Sequence, residues 1–132
     1  MRLLVTILSR QTVVQASLIR EAAPDVIIFV STVMAQENDW HKNIPVLVKR
    51  ADGEDIRYIN IFIEKNMNLG AIIEMLKRHV RNVFDEYGIT EIYCDASCGK
   101  GIHRIVFAEY LKRFSDKQDL DFFLVYFDLD TR

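Results

Sequence analysis

The stretch Glu91-Ile92-Tyr93-Cys94-Asp95-Ala96-Ser97-Cys98-Gly99-Lys100-Gly101 decides how this chain folds. Residues 91–94 have the composition of a buried strand, and residues 101–114 read as a helix. A loop of small residues joins them. The first N–H groups of a helix have no partner within the helix and sit at the positive end of its dipole, so this loop is a candidate anion-binding site. It matches neither a Walker A loop nor a G-x-G-x-x-G fingerprint, and a tight turn without a ligand is equally compatible with it.

The same alternation of strand and helix extends in both directions from this loop. Apolar runs predict strands at residues 2–8, 26–30, 58–63, 91–94 and 122–127. Apolar residues at a period near 3.6 predict helices at residues 13–23, 69–87 and 101–114, and a short helix at 34–42. Residues 44–49 alternate weakly around Pro45, and residues 51–54 carry a turn signal.

Details of the helix ends can also be read from the sequence. Pro24 should end the first helix, because the residue before a proline disfavours the α region. An asparagine of the run 66–68 should cap the helix that follows, and Gly88 occupies the place of a left-handed C-terminal residue. In the last helix the core candidates are Ile102, Ile105, Val106 and Leu111, and residues 115–119 read as a solvated connection.

Strands that alternate with helices indicate an α/β fold. We expect a Rossmann-like three-layer arrangement, with a mainly parallel sheet of about five or six strands and helices on both faces. Residues 1–132 fit one domain by length, and half of the residues are hydrophobic, which is enough for a core.

The composition argues against several classes of protein. The net charge of −2 gives no support for direct DNA binding, which usually requires a basic domain. No apolar run reaches the length of a membrane span, and the N-terminus lacks the cleavage site of a signal peptide. The two cysteines, Cys94 and Cys98, are four residues apart and form no zinc motif. We therefore expect a cytoplasmic protein with reduced thiols and with no metal or cofactor.

Ligands of parallel α/β sheets bind outside the carboxyl ends of the strands, where the strand order reverses direction. Three small polar loops are predicted at that edge, at residues 8–12, 31–32 and 95–101. Together they offer hydroxyl, amide and cationic groups to a ligand that carries phosphate.

Three segments resemble the CARF (CRISPR-associated Rossmann fold) domains that are fused to PD-D/ExK-type nucleases in type III CRISPR defence. They are Leu4-Val5-Thr6-Ile7-Leu8-Ser9-Arg10-Gln11-Thr12-Val13, then Ile28-Phe29-Val30-Ser31-Thr32 with Met34, and the loop of residues 95–101. That loop falls where the family carries T-G-G-T-K. In an ungapped comparison Ser97 takes the place of the first threonine, and the lysine lies one residue early, at Lys100.

The resemblance implies a sensor domain that binds a cyclic oligoadenylate second messenger across a two-fold homodimer interface, with cyclic tetra-adenylate favoured over hexa-adenylate. It also implies two possible activities. The domain either only signals to an effector, carried on a missing or separate domain, or acts as a slow metal-independent ring nuclease whose products end in a 2′,3′-cyclic phosphate. The alternative is a small Rossmann-like regulatory domain that binds a mononucleotide and is unrelated to CRISPR.

The candidate ligand-binding residues are those of the three loops and of the first turn of the last helix: Ser9, Arg10, Gln11, Thr12, Ser31, Thr32, Asp95, Ser97, Cys98, Gly99, Lys100, Gly101 and Arg104. Lys100 is the preferred phosphate contact and Asp95 is expected to fix its loop by accepting backbone N–H groups. For catalysis the candidates are Lys100, Ser9 and His103, the last as a general base. Trp40 and Met34 could cover a base, although packing is the more common role for such residues.

Overall fold

The computed structural model describes residues 1–99 and 101–126. Its five strands are β1 (Arg2–Ile7), β2 (Val26–Ser31), β3 (Arg57–Phe62), β4 (Glu91–Asp95) and β5 (Asp121–Val125). The helices are α1 (Thr12–Ala22), α2 (Val33–Glu37), α3 (Ile44–Leu47), α4 (Leu69–Glu86) and α5 (Gly101–Gln118), with a 3₁₀ turn at Trp40–Asn43 between α2 and α3.

All five strands are parallel and lie in the order β3-β2-β1-β4-β5. The chain therefore starts in the centre of the sheet, moves outward through β2 and β3, and returns past β1 to form the other half. The direction of travel reverses between β1 and β4, so the switch point lies between the ends of these two strands. The expected α/β class and Rossmann-like, three-layer arrangement are confirmed.

Two apolar layers enclose the sheet. One face of β1 and β2 packs through Leu4 and Phe29 against α1, α2 and α3. The other face packs through Val5 and Ile28 against α4 and α5. The helices of the two halves fall on opposite faces because crossovers of one handedness change side when their direction across the sheet reverses.

Several helix ends agree with the sequence. α1 ends at Ala22, and Ala23 before the proline takes a left-handed conformation with φ of 47°. The Asn68 side chain caps α4 by accepting from Ala71 N at 2.8 Å. The short helix predicted at residues 34–42 is split into α2 and the 3₁₀ turn, and the weak alternation around Pro45 is helical in α3.

Other helix predictions are wrong. Gly88 is not left-handed; Tyr87 leaves α4 in an extended conformation, and the chain runs directly towards β4. α5 continues four residues further than predicted, through Ser115, which is buried. Ile102 and Ile105 are not core residues, since they are 55% and 66% exposed, and Val106 is only partly buried. Leu111 is in the core as predicted, together with Phe107 and Phe114. Near the last strand, Phe127 lies outside the described residues.

Candidate functional site

One cavity of about 520 Å³ lies at the carboxyl edge of the sheet. Loops that follow four strands line it: Ser9 to Gln11 after β1, Thr32 to Met34 after β2, Glu64 to Met67 after β3, and Ser97 to Gly99 after β4. The convergence of the loops after β1, β2 and β4 is confirmed. Since the loops after β1 and β4 flank the switch point, the cavity occupies the position at which this class of sheet binds ligands.

The structure brings most of the predicted ligand residues to this cavity. The residues that line it are Ser9, Arg10, Gln11, Thr32, Ser97, Cys98, Gly99 and His103. Arg10 and Gln11 are exposed to solvent, while the others are wholly or partly buried, except Gly99. Lys100, the preferred phosphate contact, lies outside the described residues.

The remaining predicted residues lie behind or beside the cavity wall. Ser31 is fully buried, and its hydroxyl is 2.6 Å from Asn60 Oδ1 on β3. Thr12 and Gly101 begin α1 and α5. Arg104 donates from Nη1 to the Ala96 carbonyl at 2.6 Å, so it holds the loop after β4.

Asp95 is also behind the wall, where it fixes the loop as expected. Its carboxylate accepts from Ser97 N at 2.7 Å and from the Thr6 hydroxyl at 2.5 Å. The Cys98 backbone and thiol donate to it as well. Burial raises the pKa of Asp95 above its usual range, although each of these donors acts in the opposite direction.

A buried polar network connects Asp95 to the loop on the other side of the switch point. Gln15 of α1 donates from Nε2 to Thr6 Oγ1 at 2.8 Å and to the Ile7 carbonyl at 2.9 Å. Its Oε1 accepts from Ser9 N at 3.0 Å. The Ser9 hydroxyl in turn accepts from Gln11 N at 3.0 Å. One chain of hydrogen bonds therefore positions the loops after β1 and β4 relative to each other.

Gly99 makes this arrangement sterically possible. Its φ of 91° lies in the region that favours glycine, and a Cβ at this position would lie 2.5 to 2.8 Å from three atoms of the Ile7 side chain. Gly99 is one of the predicted ligand-binding residues. The close approach seen here is to Ile7 of β1, which presses the loop after β4 against the neighbouring strand.

The two cysteines are buried and reduced. Burial, reinforced by the charge of Asp95, raises the pKa of each thiol to about 12. Cys98 is therefore protonated at neutral pH and serves as a donor to Asp95. A buried, protonated thiol of this kind is not activated for thiol chemistry.

His103 comes from the first turn of α5 and lines the cavity. Its ring stacks on Phe107, with the centroids 6.0 Å apart and the planes at 11°. This contact with Phe107 holds the imidazole of His103 on the side of α5 that faces the cavity loops. A histidine held in this way can reach a ligand hydroxyl in the cavity.

The turn after β3, which contributes Glu64, Lys65 and Met67 to the cavity wall, was not predicted from sequence. Met34 and Trp40, which the sequence offered as residues that could cover a base, do line the cavity. Thr6 and Gln15 were also missed, though a polar residue inside the apolar run 2–8 was a usable signal. Among residues 1–99 and 101–126, no group of three His, Cys, Asp or Glu side chains is placed to bind a metal ion.

No protein-family model matches the chain, and no curated protein matches it. Among solved structures, the chain is similar to protein VC1899 from Vibrio cholerae, with a TM-score of 0.60 and 21% sequence identity. The match covers 94% of this chain and 30% of VC1899, so the chain spans less than a third of that protein's length. At this level of identity the likeness shows a shared α/β fold. In the described part of the chain, no helix is both long and apolar enough to cross a membrane.

Proposed function

We propose that this protein binds a cyclic oligoadenylate, with the phosphates held at the switch point between β1 and β4. The observation that carries the proposal is the convergence of the loops after β1 and β4 on one cavity. They bring together the hydroxyls of Ser9 and Ser97, the amide of Gln11 and the guanidinium of Arg10. These groups suit an anionic ligand with many oxygen acceptors.

The CARF resemblance of residues 4–13, 28–34 and 95–101 supports the same ligand, because it rests on the segments that line the cavity. Under this proposal the protein is a homodimeric sensor in type III CRISPR signalling, because a ring with two-fold symmetry suits a two-fold site. Cyclic tetra-adenylate is favoured over hexa-adenylate. The effector is then a further domain or a separate partner.

Ring cleavage would need no residues beyond those proposed for ligand binding and His103. A ribose 2′-hydroxyl of the ligand attacks the adjacent phosphate and loses its proton to a base; the bond to the 5′-oxygen breaks, this oxygen takes a proton from water and leaves as a 5′-hydroxyl, and a 2′,3′-cyclic phosphate remains. The protein contributes positioning and positive charge, and these effects account for much of catalysis in phosphate transfer. Ser9 and Lys100 would orient and neutralise the phosphate, and His103 would accept the proton.

The second candidate is a mononucleotide-binding regulatory domain. It is favoured by the size of the cavity in one protomer, about 520 Å³, which is within the range of single small-molecule sites. In that reading the protein acts without a two-fold partner, and the ligand has a single base.

Incubation with radiolabelled cyclic tetra-adenylate and cyclic hexa-adenylate, and with AMP, separates these functions. Binding of a ring without products supports the sensor, and linear products support the nuclease. Binding of AMP with neither ring bound favours the mononucleotide domain. If the nuclease operates as proposed, cleavage is slow, continues in EDTA and leaves a 2′,3′-cyclic phosphate; loss of cleavage in EDTA would contradict this mechanism.

Variants test the residues. Lys100→Ala should weaken ring binding, with a cost of about 1.5–3 kcal/mol for each charge-assisted contact, while Lys112→Ala on the outer surface of α5 serves as its control.

Ser9→Ala should slow cleavage. His103→Ala should reduce the rate with binding intact, which would distinguish a general base from a binding residue.

A further inference from the structure

The walls of the cavity differ in chemistry along the carboxyl edge of the sheet, from the ends of β1 and β4 to the ends of β2 and β3. Beyond β1 and β4 they present Ser9, Gln11 and Ser97. Beyond β2 and β3 they present the apolar residues Met34, Trp40 and Met67, with Thr32 and the exposed Glu64 and Lys65 beside them. Adjacent strands are about 4.8 Å apart, so the cavity extends across three strand spacings, roughly 14 Å from the end of β3 to the end of β4.

The apolar side contains a rigid aromatic residue and two exposed or partly exposed thioethers. Trp40 is held from behind, because it packs against the apolar layer between the sheet and α1 to α3. It still lines the cavity on its other side. Met34 is 56% exposed at the same wall, so its side chain is accessible to a ligand in the cavity.

We propose that this side of the cavity is a nucleobase subsite in which a purine stacks on Trp40 and Met34 closes over the ring, while Met67, whose sulfur accepts from Glu64 N at 3.3 Å, borders it as a fixed apolar surface. The inference rests on the proposed function, since it assumes that the phosphates occupy the side between β1 and β4. An indole held by its own packing offers a flat surface at little entropic cost. Methionine sulfur makes favourable contacts with aromatic rings and adapts to the shape of a ligand.

Stacking on an aromatic side chain recognises the flat face of a base. The subsite would therefore bind the base of a ligand whose phosphates lie between β1 and β4. In this arrangement the polar loops after β1 and β4 bind the phosphates, and the region between β2 and α3 binds the base. This region contains the 3₁₀ turn from Trp40 to Asn43, which begins with the tryptophan that lines the cavity.

Trp40 is the only tryptophan in the sequence, so its fluorescence reports on this subsite alone. The purified protein should be titrated with cyclic tetra-adenylate, with fluorescence and calorimetry followed on the same samples. We expect saturable quenching of Trp40 fluorescence, and the ligand concentration at its midpoint should agree with that of the calorimetric curve. Trp40→Leu should weaken binding roughly 5- to 150-fold, whereas Trp40→Phe should retain most of the affinity.

Tyr126→Leu is the matched control, because Tyr126 is an exposed aromatic residue that lies outside the cavity walls. Its affinity should equal that of the unsubstituted protein. If calorimetry shows binding but Trp40 fluorescence does not change, the base subsite is wrong and the proposed function stands. If calorimetry shows no binding of cyclic tetra-adenylate, the proposed function fails and the subsite fails with it. The fluorescence measurement needs no variant, so misfolding of Trp40→Leu would not affect the result.

Discussion

At the scale of single residues, Gly99 is the position that tolerates least change. Alanine at this position would combine a strained backbone, with φ of 91°, and a Cβ less than 3 Å from the Ile7 side chain. Backbone strain of this kind costs about 1–3 kcal/mol and overpacking a further 1–3 kcal/mol. We therefore expect Gly99→Ala to lower the free energy of unfolding by about 2–6 kcal/mol in urea denaturation.

Gly53 provides the control for this prediction. It has nearly the same φ, 89°, but no heavy atom lies within 4 Å of the position of its missing Cβ. Gly53→Ala should therefore carry only the backbone cost. Equal losses in the two variants would mean that Ile7 moves aside freely, and that the loop after β4 is not pressed against β1.

Asp95 should make stability depend on pH. Because burial raises its pKa in the folded protein above the ordinary 3.8, the folded state binds this proton more tightly than the unfolded state does. The contribution of Asp95 to stability is then greatest below pH 3.8 and is lost as pH rises through the raised pKa. In Asp95→Asn this component is absent. The free energy of unfolding of the unsubstituted protein, minus that of Asp95→Asn, should fall as pH rises through this window and then level off.

Urea denaturation of both proteins at a series of pH values measures this difference. A difference that increases with pH would show that the donors from Thr6, Ser97 and Cys98 outweigh burial, and that the carboxylate is the favoured form in the fold. That outcome would mean that the pKa of Asp95 is lower in the folded protein than in the unfolded protein.

At the scale of elements, α1 contributes to the site from behind. Gln15 is fully buried and its amide satisfies Ser9 N, the Ile7 carbonyl and Thr6 Oγ1. Gln15→Met keeps the volume but removes this partner from Ser9 N and from the Ile7 carbonyl, while Thr6 Oγ1 keeps its hydrogen bond to Asp95; each buried unpaired group costs about 1–3 kcal/mol. We expect a loss of roughly 2–5 kcal/mol, together with faster hydrogen exchange at the Ser9 amide.

Gln11→Met is the corresponding control, since Gln11 is exposed and its side chain caps no N–H group of α1. Its stability should lie within about 0.5 kcal/mol of the unsubstituted protein. Unchanged exchange at Ser9 in Gln15→Met would indicate that the loop after β1 is held by its own turn, through Ser9 and Gln11, and not by α1.

The elements themselves were largely predictable because period and composition are local signals. The long stripe of α4 and the apolar runs of β1 and β2 predicted their structures directly. The failures came where tertiary packing decides. Ile102 and Ile105 have the right spacing for a core face, but α5 packs on the sheet through Phe107, Leu111 and Phe114, and so they remain exposed. Likewise, the way the chain leaves α4 depends on its route to β4, which one glycine does not reveal.

At the scale of the whole molecule, the convergence of the loops was predictable from the alternation of strands and helices alone. Parallel strands place the loops that follow them at one edge, whatever the strand order. The contribution of the turn after β3 was not predictable, because it depends on β3 lying next to β2 and on its following turn bending towards the switch point. The Gln15 network was equally hidden, since a glutamine on an amphipathic helix is usually solvated.

The exposed apolar residues of α5 lead to the last prediction, which concerns the proposed homodimer. Ile102 and Ile105 are three residues apart and therefore adjacent on one face of the helix, next to the cavity loops. Apolar side chains at the centre of an interface often cost more than 1 kcal/mol when removed, and a charge there costs more. Ile105→Glu should weaken dimerisation at least about tenfold in sedimentation equilibrium, whereas Val46→Glu, 70% exposed on α3 in the opposite layer, should not. Circular dichroism of both variants should match that of the parent, because both positions are on the surface. If the parent protein sediments as a monomer with and without cyclic tetra-adenylate, the two-fold site is wrong, and the single-protomer mononucleotide reading takes its place.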